Sequence, residues 1–248
     1  MTLFSSLKTS IMIDKLRSDE NYYGEYGKKY LSNSDIGTLL NNPRAYGVQR
    51  EKTPEMVKGS YLHTLVLEPE KAKDFRIISS SSRNTNKYKE ESEGELLLLQ
   101  SEAEEIQQMA DKIDKNFELY NLVHVGTNAY EEPAVGEIFG APWKGKADVL
   151  KDDIIVDLKT TSRIDDFKFS AKKYNYDSQA YVYEKLFGVP VVFLVIEKGS
   201  MRTAVIECSH RFLQGGEQKV IAAVNIWAKF FGPEADEDVN QFVNHLTL

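Results

Sequence analysis

Apolar residues recur at helical spacing in several stretches of the chain. Ile36, Leu39 and Leu40 follow the capping residues Ser32 and Ser34, which predicts a short helix ending before Pro43. Met56, Leu62, Leu65 and Val66 predict a helix over 54–67 that opens on Pro54 and carries His63. Ile106, Met109, Ile113 and Phe117 mark a helix over 101–120. A long helix is expected over 165–187, closed by Gly188 and Pro190, and a last one over 212–231. Strands are expected at 73–79, 130–138, 143–149, 154–159, 190–197 and 202–208. Helices, then a sheet interrupted by a helix, then a helix predict an α/β fold with a mixed central β-sheet flanked by helices. Three segments lack a clear period: the tyrosine-rich first thirty residues, the charged stretch 79–95 and the acidic tail 232–248. They read as an N-terminal extension, a mobile surface loop and a loosely held end of one domain spanning 1–248.

The run 145–159 joins two strands through Asp152 and Asp153. A two-residue turn there sets Asp148 opposite Asp157, with Cβ atoms roughly 5 Å apart on one face. Opposed like charges destabilise a hairpin, and a divalent cation between them removes that cost. Asp157 and Lys159 share a face, while Leu158 points the other way. Two carboxylates and an ammonium on one surface suit metal-assisted attack on a phosphodiester. A surface hairpin with solvated charges is the plain alternative, but Ile154, Ile155 and Val156 read as a buried run.

Composition narrows the choices. The chain has 248 residues, 42% hydrophobic, enough for a sizeable core. No apolar run reaches the length of a membrane span, and the N-terminus lacks the pattern of a signal peptide. The single cysteine, Cys208, excludes an internal disulfide and a four-cysteine zinc or iron–sulfur site. A cytoplasmic location is the expected default. A net charge of −7 argues against nonspecific coating of nucleic acid, though not against a local basic channel. Lys144, Lys146, Arg163, Lys168, Lys172 and Lys173 flank the hairpin and form such a rim, or are ordinary solvated charges.

Further candidates lie outside the hairpin. Gln179 and Tyr183 share a helix face at i, i+4 and suit either orientation of a water or phosphate, or packing against the sheet. His63 is a half-buried core residue or an imidazole ligand. Glu131 and Glu132 each offer a further carboxylate, an oxygen donor of the kind magnesium prefers. Arg83, Lys87, Tyr88 and Lys89 of the charged stretch touch a substrate backbone or belong to a solvated linker.

These pieces together resemble the PD-(D/E)xK nuclease superfamily, and within it the RecE-type exonucleases (exodeoxyribonuclease VIII) of phages and prophages. The resemblance runs from about Leu31 to Phe187. Its parts stand in order: Ser34 to Tyr46, Gly59 to Pro69 around His63, Gly145 to Asp148, Asp157 to Thr161, and Asp166 to Tyr183 with Gln179 and Tyr183. Ala147 stands where the superfamily's name has proline, and the chain lacks the N-terminal region of the longest members, as in a compact phage form. The resemblance implies that His63, Glu132, Asp148, Asp157 and the Leu158 carbonyl hold Mg²⁺, with Mn²⁺ as substitute. Glu131 is as available as Glu132. It implies that Lys159 positions the attacking water and steadies the developing charge, supported by Gln179 and Tyr183. Arg44, Thr160, Arg163 and Lys172 are candidate DNA contacts. The implied activity is 5′→3′ degradation of linear double-stranded DNA, leaving 3′ overhangs for a RecT-like single-strand annealing protein, by a ring-shaped homo-oligomer. A structure-selective endonuclease of the same superfamily is the enzymatic alternative. A catalytically inactive DNA-binding module is another, against which the intact Asp148, Asp157 and Lys159 weigh.

Overall fold

The computed structural model describes residues 3–49 and 51–243, with side chains from residue 10. In chain order the helices and strands are α1 (Leu3–Leu16), α2 (Asp19–Tyr23), α3 (Asn33–Asn41), α4 (Pro54–Leu67), β1 (Ile77–Ile78), α5 (Asn86–Ser92), β2 (Leu98–Leu99), α6 (Gln100–Lys115), α7 (Phe117–His124), β3 (Ala129–Ile138), β4 (Ala141–Leu150), β5 (Ile155–Thr161), α8 (Phe167–Lys173), α9 (Tyr176–Phe187), β6 (Val191–Glu197), β7 (Thr203–Glu207) and α10 (His210–Phe230). The five-stranded sheet runs in sequence order, β3-β4-β5-β6-β7. All pairs are antiparallel except β5 and β6, which run parallel because α8 and α9 carry the chain back between them. The expected mixed α/β architecture is therefore present.

Helices cover both faces of the sheet. One core packs Ile155, Phe193, Val195 and Trp143 with residues of α3, α8, α9 and α10. The other packs Val156, Leu158, Leu194 and Ile196 with α4, α6 and α7. A strand covered on both sides reads as a near-continuous apolar run, which is how 191–196 looks in sequence.

Several sequence-based expectations need correction. The long helix over 165–187 is two helices, because Asn175 takes a left-handed conformation (φ 60°) that a short polar side chain tolerates. The helix over 101–120 likewise divides at Asn116, whose side chain caps α7 by accepting from the backbone of Glu118 and Leu119. The stretch 79–95 is built rather than loop throughout. It contains α5, and Tyr88 is buried with its hydroxyl accepting from the Leu97 backbone at 2.8 Å. Arg83 is half-buried and pairs with Glu102 at 2.6 Å, so its guanidinium is engaged within the fold. The N-terminal extension forms α1 and α2, anchored by Leu16, Tyr22 and Tyr30 against Val135. Of the acidic tail, residues 244–248 lie outside the described residues, and Arg44 holds the part before them.

Candidate active site

The hairpin closes as its pattern implies. Val149 pairs with Val156 and Leu150 with Ile155, and the Lys151 N–H donates to the Ile154 carbonyl across the Asp152–Asp153 turn. The β4–β5 pairing goes no further. At the next position the strands part, and the Asp148 carboxylate enters the gap, accepting the Leu158 N–H at 2.7 Å. Asp148 and Asp157 thus stand at a fork rather than face each other as a ladder pair. Beyond the fork the freed edge of β4 is taken by Leu31, which exchanges backbone hydrogen bonds of 2.8 Å with Pro142 and Lys144.

Helix α9 holds both prongs. Gln179 Nε2 donates to Asp157 Oδ1 on β5 at 2.8 Å. One turn on, the Tyr183 hydroxyl donates to the Lys146 carbonyl on β4 at 2.7 Å. The Tyr183 ring reaches β4 because Gly145 has no side chain: a Cβ there would sit 2.9 Å from the ring. Gln179 therefore orients a site carboxylate, while Tyr183 positions the strand that carries the other one.

A cluster of donors opens on the opposite side of the fork. His63, near the end of α4, turns Nδ1 toward Asp148 (3.4 Å) and Glu131 (3.8 Å), and its Nε2 lies 3.2 Å from the Leu158 carbonyl. Ligand atoms of His63, Glu131 and Asp148 lie within 4.8 Å of one another. The carbonyl contact fixes the ring so that Nδ1 faces the acids, a second contact typical of a metal-binding histidine. Glu131, not Glu132, is the acid here. Glu132 turns away to a two-pronged ion pair with Arg17. The β3–β4 register, Tyr130 to Val149 and Glu132 to Ala147, sets Glu131 across from Asp148. Glu131 itself interrupts the ladder with φ 49°.

The electrostatics are those of charges held from water. Burial pushes the Asp157 carboxyl up to about 6; Asp148 adds to this and Lys159 opposes it. Burial also works against charge on Asp148, but His63 and Lys159 outweigh it and hold that carboxyl below its usual range. On His63 burial is likewise outweighed by Asp148 and Glu131, which push the imidazole up to about 10. Lys159 is raised despite burial by Asp157 and Asp148. Its ammonium ion-pairs with the fully buried Asp157 Oδ2, which has no other partner among the described residues. An anionic oxygen left that way fits a cation, as does the donor set of carboxylates, one imidazole and the Leu158 carbonyl.

The remaining expected contacts scatter. Arg44 donates to the carbonyls of Asn240 and Phe242, both at 2.9 Å, so its guanidinium holds the C-terminal segment. Arg163 is exposed and pairs with Asp166 at 3.3 Å. Thr160 is half-buried on β5, and Lys172 is exposed on α8. Lys146 is buried beside the site, 3.9 Å from Glu131 and 2.6 Å from Asp19.

A forked mixed sheet with acids on both prongs and a lysine two residues past the second is the arrangement of the PD-(D/E)xK nuclease superfamily. The chain belongs to the family described as PDDEXK-like domain of unknown function (DUF3799), whose profile matches residues 40–230. No curated protein matches it. Among solved structures it is similar in fold to a "Putative exonuclease" from Eubacterium rectale, with 19% identity, a TM-score of 0.60, and coverage of 84% of this chain and 85% of that one. SSO0001 aligns at 12% identity over 88% of this chain and 87% of that one, with a TM-score of 0.37. Nucleases of this superfamily usually use divalent metals. Among the described residues no helix is long and apolar enough to cross a membrane.

Proposed function

We propose that the protein is a Mg²⁺-dependent exonuclease of the RecE type. On this reading it degrades one strand of linear double-stranded DNA from the 5′ end and leaves a 3′ overhang for a RecT-like single-strand annealing protein. The observation that carries the reading is the fork: Asp148, Asp157 and Lys159 brought together by the parting of two strands, with His63 and Glu131 alongside. Asp157 Oδ2, partnered only by the Lys159 ammonium, supports a cation there. Asp148, Asp157, Glu131, His63 and the Leu158 carbonyl would hold it. When bound, a divalent ion supplies a water of lowered pKa and neutralises charge on the phosphate.

The protein's own groups do the rest. Gln179 keeps the Asp157 carboxylate in one orientation through Oδ1, with Oδ2 turned to the Lys159 ammonium. The Lys159 ammonium, held charged by the two aspartates, stands where it orients the attacking water and steadies the negative charge that grows on the phosphorane. With a phosphate bound, the Lys159 ammonium would turn from Asp157 to the phosphate, and the Asp157 carboxylate would be one of the groups that hold the ion. A ring-shaped homo-oligomer around the duplex gives an acidic chain its processivity by enclosure rather than by charge.

Linear duplex labelled at one 5′ or 3′ end, with a closed circle as control, tests the reading in magnesium. Early release of the 5′-labelled mononucleotide with the circle untouched is expected. Nicking of the circle makes the protein an endonuclease instead. Cleavage that persists in excess chelator removes the metal from the account, and no cleavage of either substrate leaves a binding module.

A further inference from the structure

The fork accounts for the buried charges, but not for a patch of exposed aromatic and basic side chains beside it. Helix α8 is seven residues long and rests on Phe167 and Ala171, both buried in the core. Its outer face carries Lys168, Phe169, Lys172 and Lys173, and Tyr174 follows directly. Phe169 is 65% exposed and Tyr174 57%. Large aromatic surface left in water is unfavourable unless something covers it. The three lysines have no ion pair among the described residues, whereas nearby Lys159, Lys198 and Lys219 all do. Instead Lys168 lies over the Phe169 ring at 4.9 Å and Lys173 over the Tyr174 ring at 5.7 Å.

The patch is fixed in place and leads to the fork. Lys219 of α10 donates to the Lys172 carbonyl (2.7 Å) and to Asn175 Oδ1 (2.9 Å). Asn33 and Ser178 both donate to the Asn175 carbonyl, at 3.0 and 2.9 Å. The turn that presents Tyr174 is thus held from three helices. Tyr174 touches Tyr176 with ring centres 6.0 Å apart, and the Tyr176 ring lies 4.8 Å from the Lys159 ammonium. Two rings span the distance from solvent to the candidate catalytic lysine.

We propose that α8 and Tyr174 form a ledge that binds single-stranded DNA next to the cleavage fork. Unpaired bases stack on Phe169 and Tyr174, and Lys168, Lys172 and Lys173 take the phosphates. A duplex hides its base faces and has no use for the two rings, so the ledge selects the unpaired strand. Charge supports a nucleic acid over a protein partner: three unpaired lysines stand together on a chain of net charge −7. Another pair of exposed aromatics, Phe117 and Tyr120 on α7, lacks this: its neighbour Lys115 is already paired with Asp111. The ledge rests on the nuclease reading for its purpose, but binding can be read without cleavage.

The test is fluorescence anisotropy of a labelled oligo(dT) of about 12 nucleotides and of a blunt duplex of equal length. It uses the full chain in excess chelator, where hydrolysis is stopped. Phe169→Ala and Tyr174→Ala should each weaken oligo(dT) binding about tenfold, while duplex binding changes less than about twofold. Tyr174→Phe should retain binding, since it keeps the ring. Replacing Lys168, Lys172 and Lys173 with Gln should lower the salt slope for oligo(dT) by about two. Equal losses for both DNAs would make the patch a general electrostatic surface and overturn the proposal. Unchanged DNA binding, with or without capture of an acidic peptide, would overturn it too. Loss of magnesium-dependent cleavage is read separately, so failure of the fork and failure of the ledge are told apart.

Discussion

Two aspartates are buried almost equally in this molecule, Asp157 at 0% exposure and Asp177 at 2%, and the protein treats them differently. Asp177 sits where α9 crosses α10. Its Oδ1 accepts from the Ser178 N–H at 3.0 Å and from Lys219 at 2.8 Å. Gly216 lets the helices touch there: a Cβ would lie 2.1 Å from the Asp177 carbonyl oxygen. That charge is closed off by its own neighbours. Asp157 has one oxygen held by Gln179 and the other paired with the Lys159 ammonium alone, and burial pushes its carboxyl up to about 6. A satisfied buried carboxylate stabilises a junction. One whose carboxyl is raised by burial beside a second acid is kept at a cost to stability, which is the mark of a functional site.

This contrast breaks if the two regions respond alike. Asp157→Asn should lower phosphodiester cleavage at least about a thousandfold while the chain stays folded, read by end-labelled digestion beside a thermal melt. Gly216→Ala should act the other way, destabilising by about 3 kcal/mol or more through overpacking in a denaturant titration. Its cleavage rate per folded molecule should stay within about twofold. Asp177→Ala should cost about 2 kcal/mol, because it strands half-buried Lys219, again with the rate per folded molecule kept. If Asp177→Ala abolishes cleavage at full folding, the division into site and scaffold is wrong.

Two finer tests follow. Glu131→Gln should slow cleavage about tenfold and Glu132→Gln should not, since Glu132 faces Arg17. The reverse ranking would restore Glu132 to the site. The smallest effect concerns Lys144, whose ammonium donates to the Tyr22 carbonyl beneath α2. Burial pushes it down to about 8, below its unfolded value. From about pH 8 to 9.5, before tyrosines titrate, the unfolded chain holds this proton more than the folded one, so the Lys144 contribution to stability should rise with pH, against the opposite pull of His63, which stays protonated only in the folded chain. Lys144→Met should therefore make stability fall more steeply with pH than in the parent, in urea titrations at the two pH values, and an unchanged slope would contradict the assignment.

Much of the site was legible because the hairpin obeys local rules. A two-residue turn and a buried apolar run fix the register through Val149 and Val156, and the parity of Asp157, Leu158 and Lys159 follows. The fork was not legible, since only the rest of the fold tells where a ladder stops. Glu131 was within reach. Phe139 and Gly140 both have positive φ, 53° and 78°, and form a two-residue turn that pairs Ile138 with Ala141. Counting back from it places Glu131 opposite Asp148, but phenylalanine in a left-handed position disguised the turn. The break at Asn175 was hidden similarly, because asparagine reads as a tolerable helix residue until its neighbours on α3 and α10 pin the turn. The helices of the first thirty residues lack a strong apolar stripe, and their place is set by contacts with β3 and β4 that no local pattern records.

The central claim is that the fork holds a divalent cation between its two prongs. A crystal of the protein soaked in Mn²⁺ and measured at the manganese absorption edge tests it directly. The account predicts an anomalous peak at the fork, about 2.1 Å from carboxylate oxygens of both Asp148 and Asp157, with His63 and Glu131 around it. A fork without a peak at saturating manganese, or a peak held by Asp177 or Glu132 instead, would contradict it.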